Sequence, residues 1–224
     1  MSKAYYPIFL NLRGKRTVVV GGGMVAQRKI ETLLEHGADV HVISRALTPE
    51  LDREVKGGRV KHLGEEFSET HLDGAFMVIA ATDDTDLNRR VSRAAQKKGL
   101  LINAVDQPDD CNFIVPSILR RGDLRIAIST SGKSPAMARK VREDLETQFG
   151  DEYESFLNLM GRMRREIIAR RLSQKENSRI FRELIESSIL EAIGREAWEE
   201  AASALSDIVK IAYTPEEVRK LCKK

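Results

Sequence analysis

Thr17–Val18–Val19–Val20–Gly21–Gly22–Gly23–Met24–Val25–Ala26 is the stretch that decides the fold, and it runs on into Gln27–Arg28–Lys29–Ile30–Glu31–Thr32–Leu33–Leu34. A β-branched run halts at glycines and helical periodicity takes over, which is the pattern of a buried strand turning sharply into a helix. Gly21 and Gly23 supply the first two glycines of the dinucleotide pattern G-x-G-x-x-G/A, and Ala26 supplies the third small residue. In that pattern Gly21 permits the tight turn, Gly23 brings a pyrophosphate against bare backbone, and Ala26 lets helix and strand pack closely. Met24 and Val25 complete the turn at the helix N-terminus, where unpaired N–H groups and a partial positive charge suit phosphate. The same residues also suit a glycine-rich turn that holds no ligand.

Outward from this turn, helix and strand signals alternate. The first helix is expected from about Val25 to His36, closed by Gly37, and a second strand over Ala38–Ile43. Many such folds place an acid at the end of that strand, on the ribose 2′-hydroxyl. Ser44–Arg45 stands there instead. Serine can bond a hydroxyl and arginine can accept a 2′-phosphate, so these residues leave NAD and NADP both open. Thr48–Pro49–Glu50 caps a short helix to about Lys56, and Arg59–Leu63 reads as a third strand. Phe76–Ala81 is a buried strand, Asp86–Lys98 an amphipathic helix, and Leu100–Val105 a strand ending at Asp106. This alternation argues α/β: a Rossmann-type, doubly wound parallel sheet with right-handed crossovers.

Beyond residue 112 the pattern changes. Phe113–Leu119 and Leu124–Ser129 flank Arg121–Gly122–Asp123 and read as a β-hairpin. Ser134 then caps a helix with Pro135 at its first position, and the remainder is helical. Phe156, Leu157, Met160, Met163 and Ile167 recur at helical spacing, as do Ile180, Leu184, Ile189 and Ile193; they suit a core or a dimer interface. The expected division is therefore 1–112 as nucleotide-binding domain, 113–149 as dimerisation and substrate-facing segment, and 150–224 as helical domain.

With 42% hydrophobic and 32% charged residues, the chain can bury a core while staying polar outside. No apolar run reaches the ~20 residues that span a bilayer, and Met1–Pro7 lacks the apolar core of a signal peptide. Only Cys111 and Cys222 occur, far apart, so a reducing cytoplasm is expected and a disulfide framework is not. Neither membrane nor nucleic acid is expected as a partner. The net charge of +3 is unevenly spread: residues 113–142 carry seven basic residues against Asp123 alone. That local excess marks an anion-facing surface.

Several separated motifs now resemble one family. They are Pro7–Ile8–Phe9, Val20–Lys29, Ile79–Asp84, Asn103–Asp106, Phe113–Ser117 and Ser129–Pro135. In this order they are similar to the siroheme-synthase family of precorrin-2 dehydrogenases, over residues 5 to about 150. The resemblance implies NAD-dependent oxidation of precorrin-2 to sirohydrochlorin, an intertwined homodimer, and an essential aspartate at Asp106. It carries cofactor binding onto Gly21, Gly23, Met24, Val25, Ala26, Ser44, Arg45, Ala81, Thr82, Asp83 and Asn103. The family's second strand also lacks the usual acid, so Ser44–Arg45 is compatible with NAD. No methyltransferase domain of the kind carried by fused members is expected. Some stand-alone members also insert iron.

The chemistry fits independently. Asp106 falls at the carboxyl end of a strand, the edge where open α/β sheets bind ligands, although a turn residue before Gln107–Pro108 is the plain alternative. Precorrin-2 is a polycarboxylate, which gives Arg120, Arg121, Arg125, Lys133 and Arg139, with Ser129 and Ser134, a substrate-facing role. His36, His41, His62 and His71 show no ligand spacing and no metal site is expected. The lack of histidine after His71 favours dehydrogenation without metal insertion. Cys111 reads as a thiol near the cleft or a small buried one. A non-catalytic NAD-sensing dimer accounts for the glycine loop and helices, but not for the basic stretch beside Asp106.

Overall fold

The computed structural model describes residues 5–223. Residues 1–4, on which part of the signal-peptide reading falls, lie outside them. The chain divides into two compact units, one up to Val115 and one from Pro116 onward.

The first unit is the doubly wound domain. Its strands β1 (Arg16–Val20), β2 (Asp39–Ile43), β3 (Val60–Gly64), β4 (Met77–Ala80) and β5 (Leu101–Ala104) form one parallel sheet in the order β3-β2-β1-β4-β5. Burial on both faces explains the unbroken apolar runs of β1 and β4. Val18, Val20, Val78, Ala80 and Ile102 pack on one side with Val91, Ala94 and Ala95 of α3 (Thr85–Lys97). Val19, Val40, Val42 and Ile79 pack on the other with Ala26, Ile30 and Leu33 of α1 (Met24–Glu35) and Leu51 of α2 (Pro49–Lys56). Each fully buried valine or isoleucine contributes about 1.5–3 kcal/mol. Because β2 and β4 lie on opposite sides of β1, the strand order reverses beside the β1–α1 turn, and ligands bind at such a point.

The second unit begins with a hairpin, β6 (Ser117–Arg121) and β7 (Leu124–Ile128), followed by α4 (Pro135–Gln148). The first hairpin strand starts later than expected. Phe113 instead packs into the first unit's core, and Asn103 donates to its carbonyl at 3.2 Å. Proline at 116, with no N–H to give a ladder, marks the change.

Helices α5 (Glu152–Ala169), α6 (Gln174–Glu186), α7 (Ile189–Gly194), α8 (Trp198–Val209) and α9 (Pro215–Cys222) complete the unit. Phe156, Met163, Ile167, Ile180, Leu184, Ile189 and Ile193 form a shared buried cluster with Leu205 and Val218. The apolar stripes are therefore this unit's own core, and Leu157 is the member left exposed. Among the described residues no helix is long and apolar enough to cross a membrane.

Candidate functional site

The carboxyl ends of the strands are drawn together by backbone hydrogen bonds. Gly21 N donates to Ile43 O at 2.9 Å, Ala81 N to Val20 O at 2.8 Å, Val105 N to Ala80 O at 2.9 Å and Thr48 N to Gly22 O at 3.0 Å. Above them opens a cleft of about 1160 Å³. Its wall includes Gly21, Gly22, Gly23, Met24 and Val25 from the β1–α1 turn, Ser44 and Arg45 after β2, and Ala81, Thr82 and Asp83 after β4. Asp106, after β5, lies on the same wall.

The three glycines are there for different reasons. Gly21 has φ +122°, and a Cβ would lie 2.2 Å from the Ala81 carbonyl oxygen. At Gly22 a Cβ would lie 2.1 Å from the Ala46 oxygen and 2.5 Å from Ser44 Oγ. Chain packing thus forces both, and the motif treats Gly22 as a free position. At Gly23 a Cβ would meet nothing within 4 Å, and φ is −81°. The fold does not require glycine there, and the position is open to the cleft. Gly23 is also the N-cap of α1, without a side-chain hydrogen bond and with no acid in the first turn. By contrast Thr48 caps α2 and Asp84 caps α3. The α1 N-terminus therefore has donors and a positive end that could hold an anion in the cleft. Ala26, wholly buried, sits beneath the turn as a packing residue.

Asp106 adopts φ 58°, the left-handed region. Aspartate tolerates it better than most residues, but it is costly enough to mark a constrained position. The exposed carboxylate stands at the cleft edge. Asn103 is turned the other way: its amide donates to Phe113 O and lies 3.7 Å from Cys111 Sγ. It braces the sheet's end and is not among the lining residues. Cys111 is buried, its thiol donating to Ala104 O at 3.2 Å and accepting from Ala104 N at 3.1 Å. Thr82 Oγ1 bonds Asp84 O at 3.0 Å and Asn88 Oδ1 at 2.8 Å.

Arg45 Nη2 pairs with Glu66 Oε1 at 2.8 Å. Glu65, Glu66, Phe67 and Arg90 line the cleft as well, with the Arg90 guanidinium 5.7 Å from the Phe67 ring centroid. Reading the sequence missed these four: Glu65, Glu66 and Phe67 lie in the loop after β3, which carries no motif, and Arg90 is one of several exposed basic residues on α3. The histidines take local roles: His36 bonds Thr32 O at 2.7 Å, His41 bonds Asp39 at 2.8 Å and His62 bonds Ser44 O at 3.0 Å. His71 accepts from Ser68 N at 3.2 Å. On α1, burial and neighbouring Arg28 lower the Lys29 pKa.

In the second unit the expected substrate-facing residues fall into two groups. Arg121 Nε donates to Phe149 O at 2.8 Å and Nη2 to Glu146 O at 3.3 Å, so it closes the end of α4. Arg139 pairs with Glu143 at 2.8 Å, and Lys140 and Arg142 pair with Asp144 and Glu146 along the same helix. Arg125 instead stands directly across the hairpin from Arg120. Lys133 is exposed on the β7–α4 loop, where Ser129 Oγ accepts from Ser131 N at 3.0 Å. Ser134 caps α4 by accepting from Met137 N at 3.2 Å.

Fold and cleft define a nicotinamide-dinucleotide-binding α/β domain, and a family model described as NAD(P)-binding matches residues 8–117. A second model, described as sirohaem biosynthesis protein central, matches residues 121–148. The chain is 41% identical to a siroheme synthase of Methylobacillus flagellatus over 196 residues, covering 88% of this chain and 42% of that one. It is 39% identical to a siroheme synthase of Nitrosococcus oceani over 214 residues, covering 95% and 46%. The chain thus spans less than half the length of these relatives. A solved structure titled SirC, precorrin-2 dehydrogenase, aligns with a TM-score of 0.78 at 26% identity, over 92% of this chain and all of that one. The chain belongs to the siroheme-synthase and precorrin-2 dehydrogenase family.

Proposed function

We propose that this chain is an NAD-dependent dehydrogenase that oxidises precorrin-2 to sirohydrochlorin in sirohaem biosynthesis. The observation that carries the reading is one cleft wall joining the open, uncapped Gly23 turn to Asp106. Oxidation removes a hydride and a proton from the reduced macrocycle. Bound NAD supplies the hydride acceptor. The α1 N-terminus holds its pyrophosphate, with Gly21, Met24, Val25 and Ala81 to Asp83 around it and Ala26 packed below. Ser44 and Arg45 flank the adenosine ribose. Asp106 takes the proton on its carboxylate. Asn103 acts as a positioning residue for the end of β5.

The substrate's carboxylates are assigned to Arg120, Arg125 and Lys133, with Ser129 and Ser134 shaping the loop. Arg121 and Arg139 support that surface through their helix contacts. The functional division is 1–112 for cofactor, 113–149 for substrate and dimerisation, and 150–224 for the helical domain. A homodimer is assigned through the hairpin, a two-stranded sheet on which Ile118 is exposed. The helices beyond 150 give no support, because they cover one another. The cytoplasm is the assigned compartment.

The test is incubation with precorrin-2 and NAD while following absorbance. Oxidation dependent on NAD is expected; nucleotide binding without turnover would leave a sensing module. Sirohydrochlorin with ferrous ion in the same format, showing only the uncatalysed rate, is the expected result for dehydrogenation alone.

A further inference from the structure

We propose that Glu66 makes this cleft select NAD over NADP, by supplying from the end of β3 the acid that the end of β2 lacks. The inference rests on the dinucleotide reading above and goes beyond it by naming the residue that sets cofactor choice.

After β2 the chain offers Ser44 and Arg45. Ser44 Oγ already donates to Ala46 O at 2.7 Å. Arg45 alone is a planar, permanently charged fork suited to a phosphate, and would draw the cofactor's 2′-phosphate. The structure gives it a different partner, Glu66 Oε1, at 2.8 Å. That carboxylate reaches the cleft because β3 ends beside β2, with Ser44 N donating to Gly64 O at 3.0 Å and His62 Nε2 bonded to Ser44 O. Glu65 stands on the same wall. Arg45, Glu65 and Glu66 together carry one net negative charge.

A ribose 2′-hydroxyl can donate to such a carboxylate. A 2′-phosphate, carrying up to about two negative charges, must displace Glu66 from Arg45 and sit against Glu65. The pair is not there to hold the fold: its side chains are 73% and 78% exposed, and ion pairs so exposed contribute little stability. Glu66 can therefore be changed without unfolding the domain.

Equilibrium binding of NAD and NADP, measured by calorimetry on the full chain, tests this. Wild type is expected to bind NAD at least about tenfold tighter, and Glu66→Gln, which keeps shape and removes charge, to tighten NADP about tenfold. In the double variant Glu66→Gln with Arg45→Ala that gain should disappear, because the released cation is gone. An unchanged NADP-to-NAD ratio in Glu66→Gln, or wild type favouring NADP, overturns the proposal while leaving the dinucleotide site standing. Wild type binding neither nucleotide overturns the dinucleotide reading and this inference with it.

Discussion

Two strand–helix turns at the same edge of one sheet treat their helix N-termini in opposite ways. After β4, Asp84 Oδ1 accepts from the N–H groups of Asp86 and Leu87, both at 2.9 Å. Asn88, almost fully buried, folds back to accept from Thr82 N and donate to Thr82 O at 2.9 Å. That turn satisfies itself. After β1, the glycine turn leaves α1 without a side-chain cap. A helix terminus left open inside a cleft is stabilised by what binds there, whereas a capped one contributes to the fold alone. The arginines of the second unit divide similarly: Arg121 is spent on α4, while Arg125 faces another arginine.

The largest effect should come where the edge carries chemistry rather than binding. Asp106→Asn keeps the shape, removes the base, and should lower turnover about 10²–10⁴-fold with NAD affinity unchanged. A matching loss of NAD affinity by calorimetry would merge the two roles that the comparison separates. Gly23→Asp comes next. The new Cβ meets no protein atom within 4 Å, so the domain should fold as before by circular dichroism. Its carboxylate would fill the anion's place and weaken NAD by about 100-fold, the scale of two lost charge-assisted hydrogen bonds. Unchanged affinity would break the contrast between the open and closed turns.

Smaller changes sharpen it. Arg125→Ala should raise the precorrin-2 KM about tenfold and flatten its rise with salt, with thermal stability kept. Arg121→Ala should instead cost about 1–3 kcal/mol of stability in a denaturant titration, by stranding the Phe149 and Glu146 carbonyls. If the two exchanged phenotypes, the division of the arginines would be wrong. Asp84→Ala should cost about 1 kcal/mol with NAD affinity intact.

The smallest effect is at the opposite edge, where Asp39 bonds His41 and Lys61 at 2.8 and 3.0 Å. The bond from His41, then that from Lys61, hold its carboxyl below the usual carboxylate value. A depressed folded-state value contributes stability above the unfolded pKa of about 3.9, lost as pH falls through the folded one. Asp39→Asn should thus flatten the acid limb of a stability profile, cost less than about 1 kcal/mol at neutral pH, and leave NAD binding alone.

The parallel sheet was legible in the sequence because burial on both faces leaves continuous runs such as Val18–Val20 and Met77–Ala80, and local glycine and cap signals punctuate them. Gly21, Gly23 and Asp106 could be expected on one cleft wall because each comes within three residues of the carboxyl end of a strand. What only the tertiary structure decided is pairwise and non-local. Gly22 is forced by atoms of Ser44 and Ala46, Arg45 meets a glutamate 21 residues away, and Asn103 turns from the cleft toward Phe113. The helices beyond 150 carried an apolar stripe that suits a core and an interface alike, and only packing against one another assigned it. Periodicity records which face is buried; the partner that buries it is written in the fold, where residues distant in sequence come within bonding distance.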